Sequence, residues 1–122
     1  MRVVDDVVTN GILRCALRVS RSLGVGFAEK VYENAMMVEF KRNGICAAQQ
    51  ASIKVKYAGQ VVGVYVSDLV VEQQVIAELK CKQEISNIDQ AQLLNYLRAT
   101  GLTRGLILNF GTPRLGIKRM VL

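Results

Sequence analysis

Two carboxylates and a lysine, Asp68, Glu78 and Lys80, stand in the most apolar part of the sequence, and their spacing carries the chain's clearest chemical signal. Val61 to Val71 and Val75 to Lys80 are runs rich in β-branched residues separated by Glu72-Gln73-Gln74, a pattern that predicts an antiparallel hairpin. A turn centred on Gln73 sets Asp68 directly opposite Glu78. Lys80 follows on the same face, because side chains alternate across a strand and Leu79 points the other way. Opposed carboxylates repel, and the usual resolutions are a bound cation or a shared proton. A magnesium ion suits such hard oxygen donors, held by Asp68, Glu78 and the backbone carbonyl of Leu79 while keeping several waters; manganese is a substitute. Lys80 is placed to orient one such water or to contact a phosphate. The competing reading is a half-exposed ion pair in which Lys80 neutralises Glu78 or Asp68, worth at most ~1 kcal/mol when solvated. Short patterns of common residues recur by chance, so their context must decide.

The rest of the composition removes many alternatives. The chain has 122 residues, enough for one domain, and with 51% apolar and 21% charged residues it can bury a core without disulfide or metal staples. With no histidine, Ser-His-Asp and Cys-His catalysis and the common zinc sites drop out. Cys15, Cys46 and Cys81 are odd in number and widely spaced, as expected of reduced thiols. No apolar run reaches the ~18–20 residues of a membrane span, and Met1 to Asp6 lacks a basic-then-apolar leader pattern, so the expected location is cytoplasmic. Sixteen Lys+Arg against ten Asp+Glu give a net charge of +6, compatible with a polyanionic partner.

The elements that must position the acids follow from periodicity. Val4, Val8, Ile12, Cys15 and Val19 form a helical stripe over residues 3–22, with Arg14, Arg18 and Arg21 recurring on another face. After Gly24 and Gly26 a second helix is predicted from about Phe27 to Asn43, with Glu29 and Glu33 at its start, Lys41 and Arg42 at its end, and Gly44 as a cap. Its apolar face is expected to centre on Val31, Ala35 and Val38, flanked by Tyr32, Met36 and Phe40. From residue 51 the period changes to two, with Ile53, Val55 and Tyr57 alternating with Ser52, Lys54 and Lys56, and Ala58-Gly59 supplies a turn. The run Val61 to Val71 reads as a central strand. A third helix is predicted from about Ile88 to Thr100, then strands at Leu106 to Phe110 and Leu115 to Leu122. The expected fold class is therefore α/β in the mixed α+β sense, ααβββαββ, one mixed sheet with helices packed on it.

In that context the sequence resembles the GxxExxY family of the PD-(D/E)XK nuclease superfamily. Gly26-Phe27-Ala28-Glu29-Lys30-Val31-Tyr32 matches the naming signature. The likeness continues through Ser67-Asp68-Leu69-Val70-Val71, Glu78-Leu79-Lys80, the stretch Ala91 to Gly101 and Leu108-Asn109-Phe110-Gly111. The resemblance implies a restriction-endonuclease-like core spanning residues 1–122. It makes Asp68 and Glu78 the metal-binding acids and Lys80 the nuclease lysine. Glu29 matches an acid on the early helix that reaches the metal directly or through water, and Gln92 a polar position on the later helix. Members commonly carry histidine where this chain has Ser20, and often another near Asp89; neither is present.

The leading functional expectation is thus a magnesium-dependent nuclease hydrolysing phosphodiester bonds of DNA or RNA, with Lys80, Glu29 and Gln92 as catalytic candidates. The alternative is a catalytically silent nucleic-acid-binding or complex-forming module with the same fold. Arg14, Arg18, Arg21, Lys54 and Lys56 are candidate phosphate contacts, at even odds with a solvated face. A second copy of the chain is a further expected partner, since a homodimer could span a duplex. Tyr32 and Tyr96 read as core or rim aromatics with a hydroxyl reaching a partner, and Cys81 as an inert thiol.

Overall fold

The computed structural model describes residues 6–122, and Val4 of the first stripe lies outside them. The elements are α1 (Val7–Leu23), α2 (Glu29–Arg42), β1 (Ala47–Tyr57), β2 (Gln60–Val71), β3 (Val75–Lys80), α3 (Asn87–Thr100), β4 (Arg104–Asn109) and β5 (Gly116–Val121), in the expected order ααβββαββ. Local chemistry sets the helix ends. Asp6 caps α1 by accepting from the Thr9 amide at 3.2 Å. Ser86 and Asp89 form a reciprocal capping box at the start of α3, and Gly101 closes it in the left-handed conformation. Among the described residues no helix is long and apolar enough to cross a membrane.

The five strands lie in sequence order in one sheet. β3 and β4 are parallel, with α3 as the crossover between them, and the other neighbours are antiparallel. This is a mixed sheet flanked by helices, consistent with a restriction-endonuclease-like fold. The alternation of β3 divides the core. Val75, Ala77 and Leu79 pack with Ile12, Tyr32, Met36 and Phe40 on the α1–α2 side, whereas Ile76 packs with Leu93, Tyr96 and Leu97 of α3. Glu78 and Lys80, in register with Ile76, therefore belong to the α3 side.

Two expectations about apolar faces are corrected. The buried stripe of α2 is Tyr32, Met36 and Phe40, while Val31 and Val38 are exposed. The aromatic pair explains the rotation: Tyr32 stacks on Phe110 at 4.8 Å, and its hydroxyl donates to the Gly24 carbonyl at 2.6 Å. That turn of the helix also brings Glu33 into the interior. β2, for its part, pairs with β3 only over Leu69 to Val71. Its first half forms a two-stranded arm with β1, on which Val61, Val62, Val64, Tyr65 and Val66 are exposed. A β-branched run signals fit to a pleated surface and does not by itself imply cover on both faces; β3 is too short to flank the whole of β2.

The carboxyl end of β3 is fixed from β4. The buried Asn109 side chain accepts from the Lys82 amide at 3.1 Å and donates to the Lys82 carbonyl at 2.9 Å. At Gly111 an added Cβ would lie 2.3 Å from the Lys82 nitrogen, so only glycine permits this approach. The backbone immediately beyond Lys80 is thereby held rigidly.

Candidate active site

Asp68 and Glu78 sit where β2 and β3 begin to diverge. Ladder pairing runs from Val71↔Val75 to Leu69↔Ala77 and stops before Asp68 and Glu78. The turn that sets this register places Glu72 and Gln73 in left-handed conformations, with the Gln74 amide donating to the Val71 carbonyl at 2.9 Å. Beyond Leu69 the carboxylates replace the ladder. The Asp68 amide donates to Glu78 Oε2 at 2.8 Å, and the Leu79 amide donates to Asp68 Oδ2, also at 2.8 Å. Each acid is thus oriented by the opposite strand's backbone. β1 accommodates the divergence with a left-handed Gln50, φ 54°, at the point where no Gln50–Asp68 pair forms.

The electrostatics of the pair are uneven. Glu78 is buried and Asp68 half-buried. Burial first, and the Asp68 charge second, push the Glu78 carboxyl up to about 8, with Glu33 adding to the rise and the Asp68 amide and Lys80 opposing it. The neutral, protonated acid is therefore favoured at neutral pH when no cation is bound.

Glu33, which lay one helical turn beyond the expected Glu29, completes a chain of polar contacts. Its buried carboxylate accepts from Lys30 Nζ at 2.9 Å, from Gln50 Nε2 at 2.8 Å and from Gln49 Nε2. Gln50 Nε2 also reaches Asp68 Oδ1 at 3.5 Å. The signal in the sequence was the stripe Tyr32-Met36-Phe40, which, had it been taken as the centre of the face, puts Glu33 at its buried edge. Replacing Glu33 by alanine removes these contacts to Gln49 and Gln50, but Gln50 is exposed and Gln49 still donates to Asn34 Oδ1 at 2.8 Å, so we expect a loss of only about 0.5–1.5 kcal/mol in denaturant unfolding. The same change, by removing a like charge, lowers the pH at which Glu78 titrates.

Lys80 is paired with an acid from another element. Its Nζ lies 3.7 Å from Asp89 Oδ1 at the start of α3, with the lysine side chain 22% exposed. Asp89 also accepts from Lys82 Nζ at 2.7 Å and from the Ser86 amide at 3.0 Å. Burial would raise the Asp89 carboxyl, but Lys82, Ser86 and Lys80 outweigh it and bring it down to about 2. The ion-pair partner of Lys80 is hence neither Asp68 nor Glu78, although its charge still acts on Glu78.

The other candidates are dispersed. Glu29 is exposed on the first turn of α2; its charge adds to burial in pushing the Cys81 thiol up, and the charges acting on Glu78 are those of Asp68, Lys80 and Glu33. Gln92 is exposed on α3 beside a cleft that Tyr96 also lines. Lys54 and Lys56 are exposed on the arm. Arg14, Arg18 and Arg21 lie on α1, which packs on the sheet face opposite Glu78 and Lys80, and Arg18 is paired with Glu39 at 3.4 Å. Ser20 is buried in α1, away from the α3 side.

Among the described residues no three His, Cys, Asp or Glu side chains converge as a metal-binding group. The available protein donors are therefore two carboxylates with neighbouring backbone oxygen, the Leu79 carbonyl being the nearest in sequence. Such a set fits a hard divalent cation that keeps several waters. Burial and, after it, the Asp68 charge both disfavour ionised Glu78, and a cation would relieve them.

A family model described as the PD-(D/E)XK nuclease superfamily matches residues 6–120. No curated protein matches the chain. Among solved structures, the crystal structure of SSO0001 superposes with a TM-score of 0.54 at 16% identity, over 98% of this chain and 69% of that one. That likeness supports the fold. With the acid pair and lysine at the diverging strands and the family match along nearly the whole described chain, the protein belongs to the PD-(D/E)XK nuclease superfamily.

Proposed function

We propose that the chain is a GxxExxY-type nuclease that hydrolyses phosphodiester bonds of DNA or RNA with magnesium or manganese at Asp68 and Glu78. The reciprocal bonding of those two carboxylates to each other's strand is the observation that carries this reading. It fixes two carboxyl groups side by side, one of them buried and driven to hold its proton, at a cost that an isolated structural protein has no need to bear. A bound divalent cation would supply Lewis-acid polarisation of the scissile phosphate and a more acidic water.

The residues of the chain have separate tasks in this scheme. Asp68 and Glu78 hold the cation, and Glu78 releases its proton as it does so. Lys80, anchored by Asp89, holds the attacking water through its ammonium group and contacts the phosphate. Gln92 braces phosphate or water from α3. Lys54 and Lys56 attract the backbone of the nucleic acid along the arm, whereas a strand reaches Arg14, Arg18 and Arg21 only by passing round the sheet.

Incubation of the purified protein with single-stranded, duplex and branched DNA and RNA, with magnesium or manganese, tests this function. Cleavage by the wild type that disappears in Asp68→Ala is the expected result, with binding that weakens as salt rises. Salt-dependent binding without cleavage on the whole panel would favour the silent binding module. Absence of binding even at low salt would remove nucleic acid as the substrate.

A further inference from the structure

A cleft of about 600 Å³ lies between α3 and the β1–β2 arm. Tyr65 and Tyr96, the amides of Gln92 and Asn95, and the cations Lys56 and Arg98 line it. Tyr96 is buried and its ring lies 5.8 Å from that of Tyr65, at an interplanar angle of 46°. Tyr65 is 52% exposed, so a flat aromatic surface remains available for stacking. The arm itself holds Tyr65 there: Ile53, its cross-strand partner, packs with Tyr96 and Leu97 under α3.

Each part of this lining matches a different part of one ligand. An aromatic platform with apolar walls receives a planar base, amides offer donors and acceptors to its edge, and cations at the margin attract the phosphates on either side. A purely apolar ligand would leave Lys56 without a partner in the cleft, whereas Arg98 already donates to Asn95 Oδ1 at 2.9 Å. A base stacked inside a duplex cannot enter a concavity between a helix and a hairpin, whereas an unpaired base can. The cleft also communicates with the acids. Ile76, two residues before Glu78 on the same face of β3, packs in the same cluster as Tyr96, and the charges of Glu78 and Asp68 both act on the Tyr96 hydroxyl.

We propose that this cleft seats an unpaired nucleobase of single-stranded nucleic acid, so that the adjoining phosphate runs toward Asp68 and Glu78. The direction of the phosphate rests on the nuclease reading; the occupancy of the cleft does not. The consequence is a preference for single strands, frayed ends or flaps over continuous duplex. Tyr65 supplies the stacking surface, and Lys56 the attraction that any nearby phosphate feels.

Fluorescence anisotropy with labelled single-stranded DNA and RNA, and with a blunt duplex of the same sequence, measures this directly in chelator, where cleavage cannot occur. The wild type should bind the single strands about 10-fold or more tighter than the duplex. Tyr65→Ala should lose on the order of 10-fold for single strands with the duplex value unchanged, and Tyr65→Phe should retain stacking. Thermal melting of both variants checks that the arm is intact. Equal affinity for the two forms, or a Tyr65→Ala variant that binds single strands as well as the wild type, would overturn the proposal even if the enzyme cleaves. Retained Tyr65-dependent binding without any cleavage would instead support the cleft and count against the nuclease.

Discussion

Replacing Lys80 by alanine should lower nuclease turnover by on the order of 10²-fold or more, as loss of a group that activates the nucleophile typically does. The fold should survive, because Asp89 keeps Lys82 and Ser86 as partners and Asn109 still fixes the end of β3. Divalent-cation affinity should hold or rise, since a competing positive charge has left the vicinity of Glu78. Single-turnover cleavage with enzyme in excess measures the chemical step, and calorimetry on the same preparation measures the cation. Unchanged turnover would show that Lys80 serves only as the ion-pair partner of Asp89.

The second large effect concerns stability against pH. Glu78 holds its proton up to about 8 in the folded chain against an ordinary 4.5. Between those values the folded state binds more protons than the unfolded one, so unfolding free energy falls as pH rises through the window. Stability linked to Glu78 is fully present below pH 4.5 and lost as pH passes about 8, a total of a few kcal/mol at up to about 1.4 kcal/mol per unit. Asp89 and Asp6 are shifted downward, so their contributions are lost at the acid end and leave this window to Glu78. Denaturant unfolding in chelator from pH 5 to 9 should show the decline. Glu78→Gln should flatten it, and saturating magnesium or manganese should offset it at the alkaline end. A wild-type profile with no slope, or a slope that Glu78→Gln leaves intact, would refute the assignment.

Much of this arrangement was legible because it rests on counting along strands. The symmetry of the Glu72-Gln73-Gln74 break sets the register seen over Leu69 to Val71, and continuing it by arithmetic puts Asp68 across from Glu78, where the carboxylates replace the ladder. Periodicity gave the third helix: α3 runs within a residue of its expected span, and the Ser86 cap that starts it is seen only in the structure. Alternation also placed Glu78 and Lys80 on one face of β3.

What escaped depends on which faces are covered, a property of packing and not of local pattern. The α2 stripe could be drawn through Val31-Ala35-Val38 or through Tyr32-Met36-Phe40, and only the stacking of Tyr32 on Phe110 decides for the second. Glu33 became visible with that choice. Likewise, nothing local to Lys80 reveals that its counter-ion comes from Asp89 on the crossover helix, or that the arginines of α1 fall on the far side of the sheet. The arm was hidden for a related reason, since the valines of β2 look alike whether or not a neighbouring strand covers them.

The proposed nuclease stands or falls with a divalent cation held jointly by Asp68 and Glu78. Isothermal titration of magnesium and of manganese into the wild type, Asp68→Ala and Glu78→Gln at pH 6.5, 7 and 8, each in two buffers of different ionisation enthalpy, tests it most directly. The predicted result is one site per chain in the wild type, proton release that grows as pH falls below about 8 because Glu78 is then protonated before binding, and loss of that site in both variants. Equal binding in the wild type and both variants would contradict the claim.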